Sequence, residues 1–283
     1  MTVSSALRQA ERRLREAGIE AAAIDAEVIL RHVLGWDRAA VIARGADDLP
    51  AAAQERFLAL VEQRAARRPL QHLTGTQAFW RHEFLVTPDV LIPRPETEVL
   101  VEAALELIRG RQAPVVVDVG TGSGCIALSI AAERPDAVVH AVDVSPAALA
   151  VARENARRLG LGGRVEMHEG DLLQPVARLG GRVDLVLSNP PYVDPGQIPS
   201  LSPEVRDHEP RGALLAPGPP HGIYPRLAAE ACRVLRPGGS LAVEVGAGMA
   251  ESVAQTFRRA GLAGVESRPD LAGIPRVVSG RRA

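Results

Sequence analysis

From Pro114 onward the chain alternates between two hydrophobic rhythms. Short, nearly unbroken apolar runs lie near residues 115–119, 138–142, 183–187 and 239–245, and a further strand is expected near 164–168. Runs of that kind suit strands buried on both faces of a parallel sheet. Stretches near 124–133, 146–159 and 223–235 carry apolar residues at helical spacing instead. A further helix is predicted near 249–260, followed by two late strands near 264–268 and 275–279. Strands alternating with helices predict an α/β fold, a doubly wound sheet of seven strands with a terminal strand pair.

The first 74 residues have only the helical rhythm. Ser5 to Ala17, Ile19 to Leu34 and Ala51 to Ala66 repeat apolar positions every three or four residues, with Gly35, Gly45 and Pro50 as breaks. Residues 1–74 are therefore expected to form a small all-helical domain, and residues 93–283 the sheet domain. Between them, residues 75–92 read as a β-hairpin linker. Phe79, Trp80 and Phe84 lie in it and suggest an apolar joint between the domains. Arg64, Arg67 and Arg68 read as a solvated basic cluster. After the hairpin, Ile92-Pro93-Arg94-Pro95-Glu96-Thr97-Glu98 opens a helix, with Pro95 in its first turn. Arg94 is placed either to close over a ligand or to form a salt bridge between domains. Residues 194–221 are proline-rich and aperiodic, and predict a long loop acting as a lid.

Bulk properties narrow the function classes. A formal net charge of −1 gives no electrostatic footprint for nucleic acid. The two cysteines, Cys125 and Cys232, are too few for a disulfide framework or a zinc site, and no metal is expected. No signal peptide or membrane-spanning run is apparent, so a cytoplasmic protein without membrane contacts is expected. A monomer is expected as well.

Candidate chemistry begins where the first sheet strand ends. Val115 to Val119 runs into Gly120-Thr121-Gly122-Ser123-Gly124 and then a helix. Glycines there let the backbone turn tightly and approach a ligand. The spacing admits a nicotinamide dinucleotide or S-adenosylmethionine. For the latter, Asp118 is placed to answer the ammonium of the methionine part, directly or through water. Asp143, ending the second strand, can accept the ribose hydroxyls, or can cap the next helix with Ser145. Asp171, after the third strand, is positioned for the adenine amino group, and Leu172 for packing on the ring.

Asn189-Pro190-Pro191-Tyr192, at the end of the fourth strand, separates the two cofactors. An amide or aryl amine is a poor nucleophile because its lone pair is delocalised. The side-chain oxygen of Asn189 can accept one N–H of a substrate –NH₂, and the carbonyl of Pro190 the other. Pro191 stiffens the turn, and Tyr192 offers a flat face to a planar amide. That chemistry belongs to methyl transfer.

Taken together these residues resemble the peptide chain release factor N5-glutamine methyltransferase family, class I S-adenosylmethionine-dependent enzymes with a Rossmann-like sheet. The resemblance spans nearly the whole chain. It rests on the helical N-terminal region, the Ile92–Glu98 joint, Asp118 to Gly124 and Asn189 to Tyr192. His208-Glu209-Pro210-Arg211-Gly212-Ala213-Leu214 and Arg276-Val277-Val278-Ser279-Gly280-Arg281 add to it. His221-Gly222 and Leu172 depart from the family's usual residues. The resemblance implies methylation of the glutamine side chain in the Gly-Gly-Gln loop of release factors, with S-adenosylhomocysteine as the product. Asp118, Gly120, Thr121, Gly122, Ser123, Gly124, Asp143, Asp171, Leu172 and Asn189 would hold the cofactor. Asn189, Pro190, Pro191 and Tyr192 would hold the glutamine, with Asn189, Pro190 and Tyr192 catalytic. The alternatives are a nucleic-acid amine methyltransferase and a catalytically silent module that binds a translation factor.

Overall fold

The computed structural model describes residues 1–215 and 222–283. They divide into two compact units: Met1–Thr76 with Leu201–His208, and Gln77–Ser200 with Glu209–Ala283. The departure noted at His221 lies outside the described residues.

The first unit is helical: α1 (Val3–Glu16), α2 (Ala22–Leu34), α3 (Arg38–Ala43), α4 (Ala51–Ala65) and α5 (Leu70–Thr74). Thr2 caps α1 and Asp37 caps α3, each accepting from a first-turn N–H. Gly35 ends α2 in the left-handed conformation. Val3, Ala6, Ala10 and Leu14, spaced three and four apart, meet Ile29, Leu30, Phe57 and Val61 in one core. The surface expectation for Arg64 is corrected. Its side chain is only 10% exposed; Nε donates to Asp25 at 2.7 Å and Nη1 to Glu204 at 2.9 Å. Burying the aliphatic stem while pairing the charge twice makes that placement tolerable.

The second unit begins with the hairpin, β1 (Thr76–Phe79) and β2 (His82–Leu85). Phe79 and Phe84 are buried in this unit's own core, among residues of the helices that follow. Those elements are α6 (Glu98–Leu107), β3 (Val115–Val119), α7 (Cys125–Glu133), β4 (Val138–Asp143), α8 (Pro146–Arg158), β5 (Val165–Glu169) and β6 (Val183–Ser188). The region predicted as one loop is corrected within 194–215, its residues 216–221 lying outside those described: it holds a 3-10 turn at Pro195–Ser200, α9 (Pro203–His208), which belongs to the first unit, and α10 (Arg211–Leu214). Each is too short for hydrophobic periodicity to reveal. The remainder is α11 (Ile223–Val234), β7 (Leu235–Glu244), α12 (Ala250–Arg259), β8 (Leu262–Pro269) and β9 (Pro275–Arg282).

Seven strands form one sheet in the order β5-β4-β3-β6-β7-β9-β8, all parallel except β9, which is antiparallel to both its neighbours. The order reverses between β3 and β6, which opens a crevice at their carboxyl ends. Register makes the crevice specific. Val119 pairs with both Val142 and Ser188, and Asp143 pairs with Glu169. The segments starting at Gly120, Asp143, Gly170 and Asn189 therefore leave the sheet side by side.

Candidate active site

The crevice holds a cavity of about 410 Å³, inside the usual range for small-ligand sites. Gly120 to Ser123, Asp143, Gly170 to Leu172, and Asn189 to Pro191 line it. Arg94 and Thr97 close another side.

The glycine loop is held from beneath. Gly120 and Thr121 both donate to the carbonyl of Val142, at 2.8 and 3.0 Å. Gly120, Gly122 and Gly124 have φ of 72°, 55° and 81°, which L side chains adopt at a cost. A Cβ at Gly124 would also meet Leu128 and Ala152 at 3.0 and 3.2 Å, so α7 and α8 need the glycine to pack this closely. Asp143 braces the loop from the side. Its Oδ2 accepts from Gly122 N at 2.8 Å and its Oδ1 from Ser145 N at 2.9 Å. Both expectations for Asp143, cavity wall and helix entry, meet in one carboxylate, and each oxygen keeps a second lone pair.

Asp118 lies under the loop and does not line the cavity. Thr121 donates to its Oδ2 at 2.6 Å, while Oδ1 has no partner. Burial pushes this carboxyl up to about 7 against the pull of Thr121. The buried hydroxyl of Ser123 is also unpartnered. Ser123 lines the cavity, so a polar ligand group settling onto the glycine loop can partner its hydroxyl. On the adenine side, Leu172 has φ 48°, strained for a leucine, in the cavity wall. Asp171 forms a close ion pair with Arg226, which also lines the cavity.

Asn189 emerges from β6 half-buried, and Ser188 pins the strand end by donating to Val119 O at 2.8 Å. The amide Nδ2 of Asn189 donates to Thr97 Oγ1 at 3.2 Å. The Thr97 hydroxyl also lies near the Glu244 carboxyl and favours its charged form. With Nδ2 of Asn189 engaged by Thr97, Oδ1 is left to accept. Burial pushes the Glu244 carboxyl up to about 7. Tyr192 stands outside the cavity lining; its ring packs near Gly246, where a Cβ would approach it to 3.1 Å. Burial raises its phenol to about 12.

Comparison with known proteins decides the family. Residues 5–75 match the PrmC N-terminal domain and residues 96–201 the methyltransferase small domain. The release factor glutamine methyltransferase of Cereibacter sphaeroides is 46% identical over 281 residues, 99% of each chain. That of Moorella thermoacetica is 45% identical, covering 98% of this chain and 97% of its own. That of Deinococcus radiodurans is 43% identical, covering 100% and 99%. The chain belongs to the release factor glutamine methyltransferase family.

Among solved structures, the hMettl16 catalytic domain in complex with the MAT2A 3'UTR hairpin 6 superposes with a TM-score of 0.58 at 16% identity. It covers 71% of this chain and 75% of that one, and shows the shared methyltransferase fold. Family and fold make S-adenosylmethionine the cofactor, and the cavity's polar cradle fits it.

Several supports of the family's site are not visible as motifs. Thr97 and Glu244 lie 92 residues before and 55 after Asn189. Glu209, almost fully buried, holds Arg94 in a close ion pair within the sheet unit, which replaces the salt bridge expected between domains. Asn155, on α8, ties two chain segments. It accepts from Leu85 N at 2.7 Å and donates to Ser123 O at 2.9 Å.

Proposed function

We propose that the chain transfers a methyl group from S-adenosylmethionine to the side-chain amide nitrogen of the glutamine in the Gly-Gly-Gln loop of peptide chain release factors. The observation that carries this reading is the hydrogen bond from Asn189 Nδ2 to Thr97, which leaves Asn189 Oδ1 to accept a hydrogen bond at the cofactor cavity. Near-full-length similarity to release factor glutamine methyltransferases supports the choice of substrate.

The bound cofactor supplies a sulfonium methyl, already a good electrophile, so neither a metal nor a covalent enzyme intermediate is required. Gly120, Thr121, Gly122, Ser123 and Gly124 form the cradle under it. Asp143 takes the ribose hydroxyls, and Asp171 and Leu172 take the adenine. Asp118 keeps the loop in place through Thr121. Asn189 Oδ1 and the Pro190 carbonyl accept the two N–H groups of the glutamine amide. Both acceptors sit where positive charge grows on nitrogen, which is where fixed dipoles accelerate a reaction most. As nitrogen gains the methyl, one of its protons leaves. A methylated amide cation is a strong acid, so water can take that proton without a dedicated base. Pro191 stiffens the turn.

Residues 1–74 carry none of these groups. We assign them to gripping the body of the release factor, as a cytoplasmic monomer acting on a folded protein. Intact release factor should then show a far higher kcat/KM than a short peptide containing Gly-Gly-Gln. Equal values for the two would remove the docking role.

Incubation with methyl-labelled cofactor tests the reaction. Label should enter release factor, should vanish when the Gly-Gly-Gln glutamine is replaced, and should not enter duplex DNA or ribosomal RNA. Strong transfer to a nucleic acid with release factor inert would favour an amine methyltransferase of bases instead.

A further inference from the structure

A second cluster of ligating side chains lies in the sheet unit, away from the cavity. His140 is on β4, and Glu166 and His168 are on the neighbouring edge strand β5. His140 pairs in register with Glu166, and Val142 with His168, so all three side chains emerge on one face of the sheet. His140 Nδ1 and His168 Nε2 are 3.1 Å apart. The Glu166 carboxylate reaches both rings, with Oε2 at 3.4 Å from His140 and Oε1 at 3.6 Å from His168. None of the three lines the cofactor cavity.

These spacings have a simple reading. Ligands held about 2.0–2.1 Å from a tetrahedral Zn²⁺ stand about 3.3 Å from one another. The 3.1 Å between the two ring nitrogens is close to that edge length, and a Glu166 carboxylate oxygen lies within 4.8 Å of both. Two imidazoles and one carboxylate are also a donor set suited to zinc, with a fourth position left for water. Glu166 is 57% exposed, so that position can face solvent. Without a metal, one imidazole N–H can serve the other ring's lone pair, and Arg178 holds Glu166 Oε1 at 2.8 Å. That arrangement satisfies the rings, yet it needs no carboxylate within reach of both ring nitrogens.

We propose that His140, Glu166 and His168 form a Zn²⁺ site that fastens the edge strand β5 to β4. Both strands run on into the cofactor cavity, β4 through Asp143 and β5 through Gly170 to Leu172, so the ion would brace the adenine side of the site. It has no part in methyl transfer. Two histidines 28 residues apart on different strands form no spacing motif, and cysteine count alone gave no reason to expect a metal.

The test uses the untagged full-length protein, freed of metal with chelator and titrated with ZnCl₂. Calorimetry should show one site, and the melting temperature should rise with Zn²⁺ but not with Mg²⁺ or Ca²⁺. His168→Ala and Glu166→Gln should each weaken zinc binding by roughly tenfold or more and lose the thermal shift. His140 is buried, so its loss can unfold the strand; the two more exposed ligands avoid that ambiguity. Co²⁺ should give a tetrahedral absorption spectrum in the parent protein and not in His168→Ala. No thermal shift with Zn²⁺ in the parent protein, or an equal shift in both variants, would overturn the proposal.

Discussion

Thr97→Val keeps the shape of the side chain and removes one hydroxyl. In the native site that hydroxyl accepts from Asn189 Nδ2 at 3.2 Å and lies near the Glu244 carboxyl. Without it, the Asn189 amide has no partner that distinguishes its two ends. Flipped, it would present N–H groups to a substrate amide that is itself a donor. A neutral hydrogen bond contributes about 0.5–1.5 kcal/mol net, and about 1.4 kcal/mol is a factor of ten in rate. Losing the Asn189–Thr97 bond should therefore lower turnover by roughly three- to tenfold. Affinity for S-adenosylmethionine should change little, because the glycine cradle and Asp143 are untouched. Thr97→Ser restores the hydroxyl and should recover most of the turnover. Steady-state kinetics with intact release factor, alongside calorimetry for the cofactor, separates the two effects. The reasoning fails if Thr97→Val turns over at the native rate while Asn189→Ala is severely impaired. It also fails if Thr97→Ser is no better than Thr97→Val.

Three further outcomes are expected. Asn189→Ala should leave cofactor affinity nearly intact and cut turnover by roughly a hundredfold or more, the scale for one lost transition-state hydrogen bond; retention of more than about a third of the rate would contradict its role. Asp143→Ala should weaken cofactor binding by about 1.5–3 kcal/mol, since it removes charge-assisted bonds and frees Gly122; calorimetry showing unchanged affinity would remove Asp143 from the site. Asp118 keeps its proton in the fold up to about 7 but loses it near 3.8 when unfolded, so the folded state binds the extra proton between those values and stability falls as pH rises through that window. Asp118→Asn removes this titration, and from pH 5 to pH 8 the cofactor-free parent should lose about 3 kcal/mol more than the variant in urea unfolding; equal losses would refute the buried-acid reading.

Much of the sheet unit was legible because its physics is local. Val115 to Val119 and Val183 to Leu187 are apolar on both faces, and Gly120, Gly122 and Gly124 mark a turn that few other residues can make. The seven strands and the helices between them follow from such signals, with ends shifted by a few residues; β7 starts at Leu235, ahead of the expected 239. The helical unit was likewise plain from Val3, Ala6, Ala10 and Leu14. What did not show was whatever depends on distant chain segments meeting. Arg64 looked like a surface charge until Asp25 and Glu204 enclosed it. Helix α9 looked like part of a loop, because six residues cannot display a period and its anchor, Glu204, lies 140 residues from Arg64. Thr97 sat in plain view within a recognised joint, but its use depends on where Asn189 ends up. Asp118 and Tyr192 were read as ligand contacts; neither lines the cavity, and Asp118 instead holds Thr121, which does.

The central claim is that Asn189 presents a glutamine amide to the methyl donor. Its most direct test is tandem mass spectrometry of release factor after incubation with S-adenosylmethionine and either the parent protein or Asn189→Ala. The account predicts a single methyl on the side-chain nitrogen of the Gly-Gly-Gln glutamine with the parent protein, and almost none with Asn189→Ala at equal cofactor occupancy. A methyl on any other residue, or the same yield from both proteins, would contradict it.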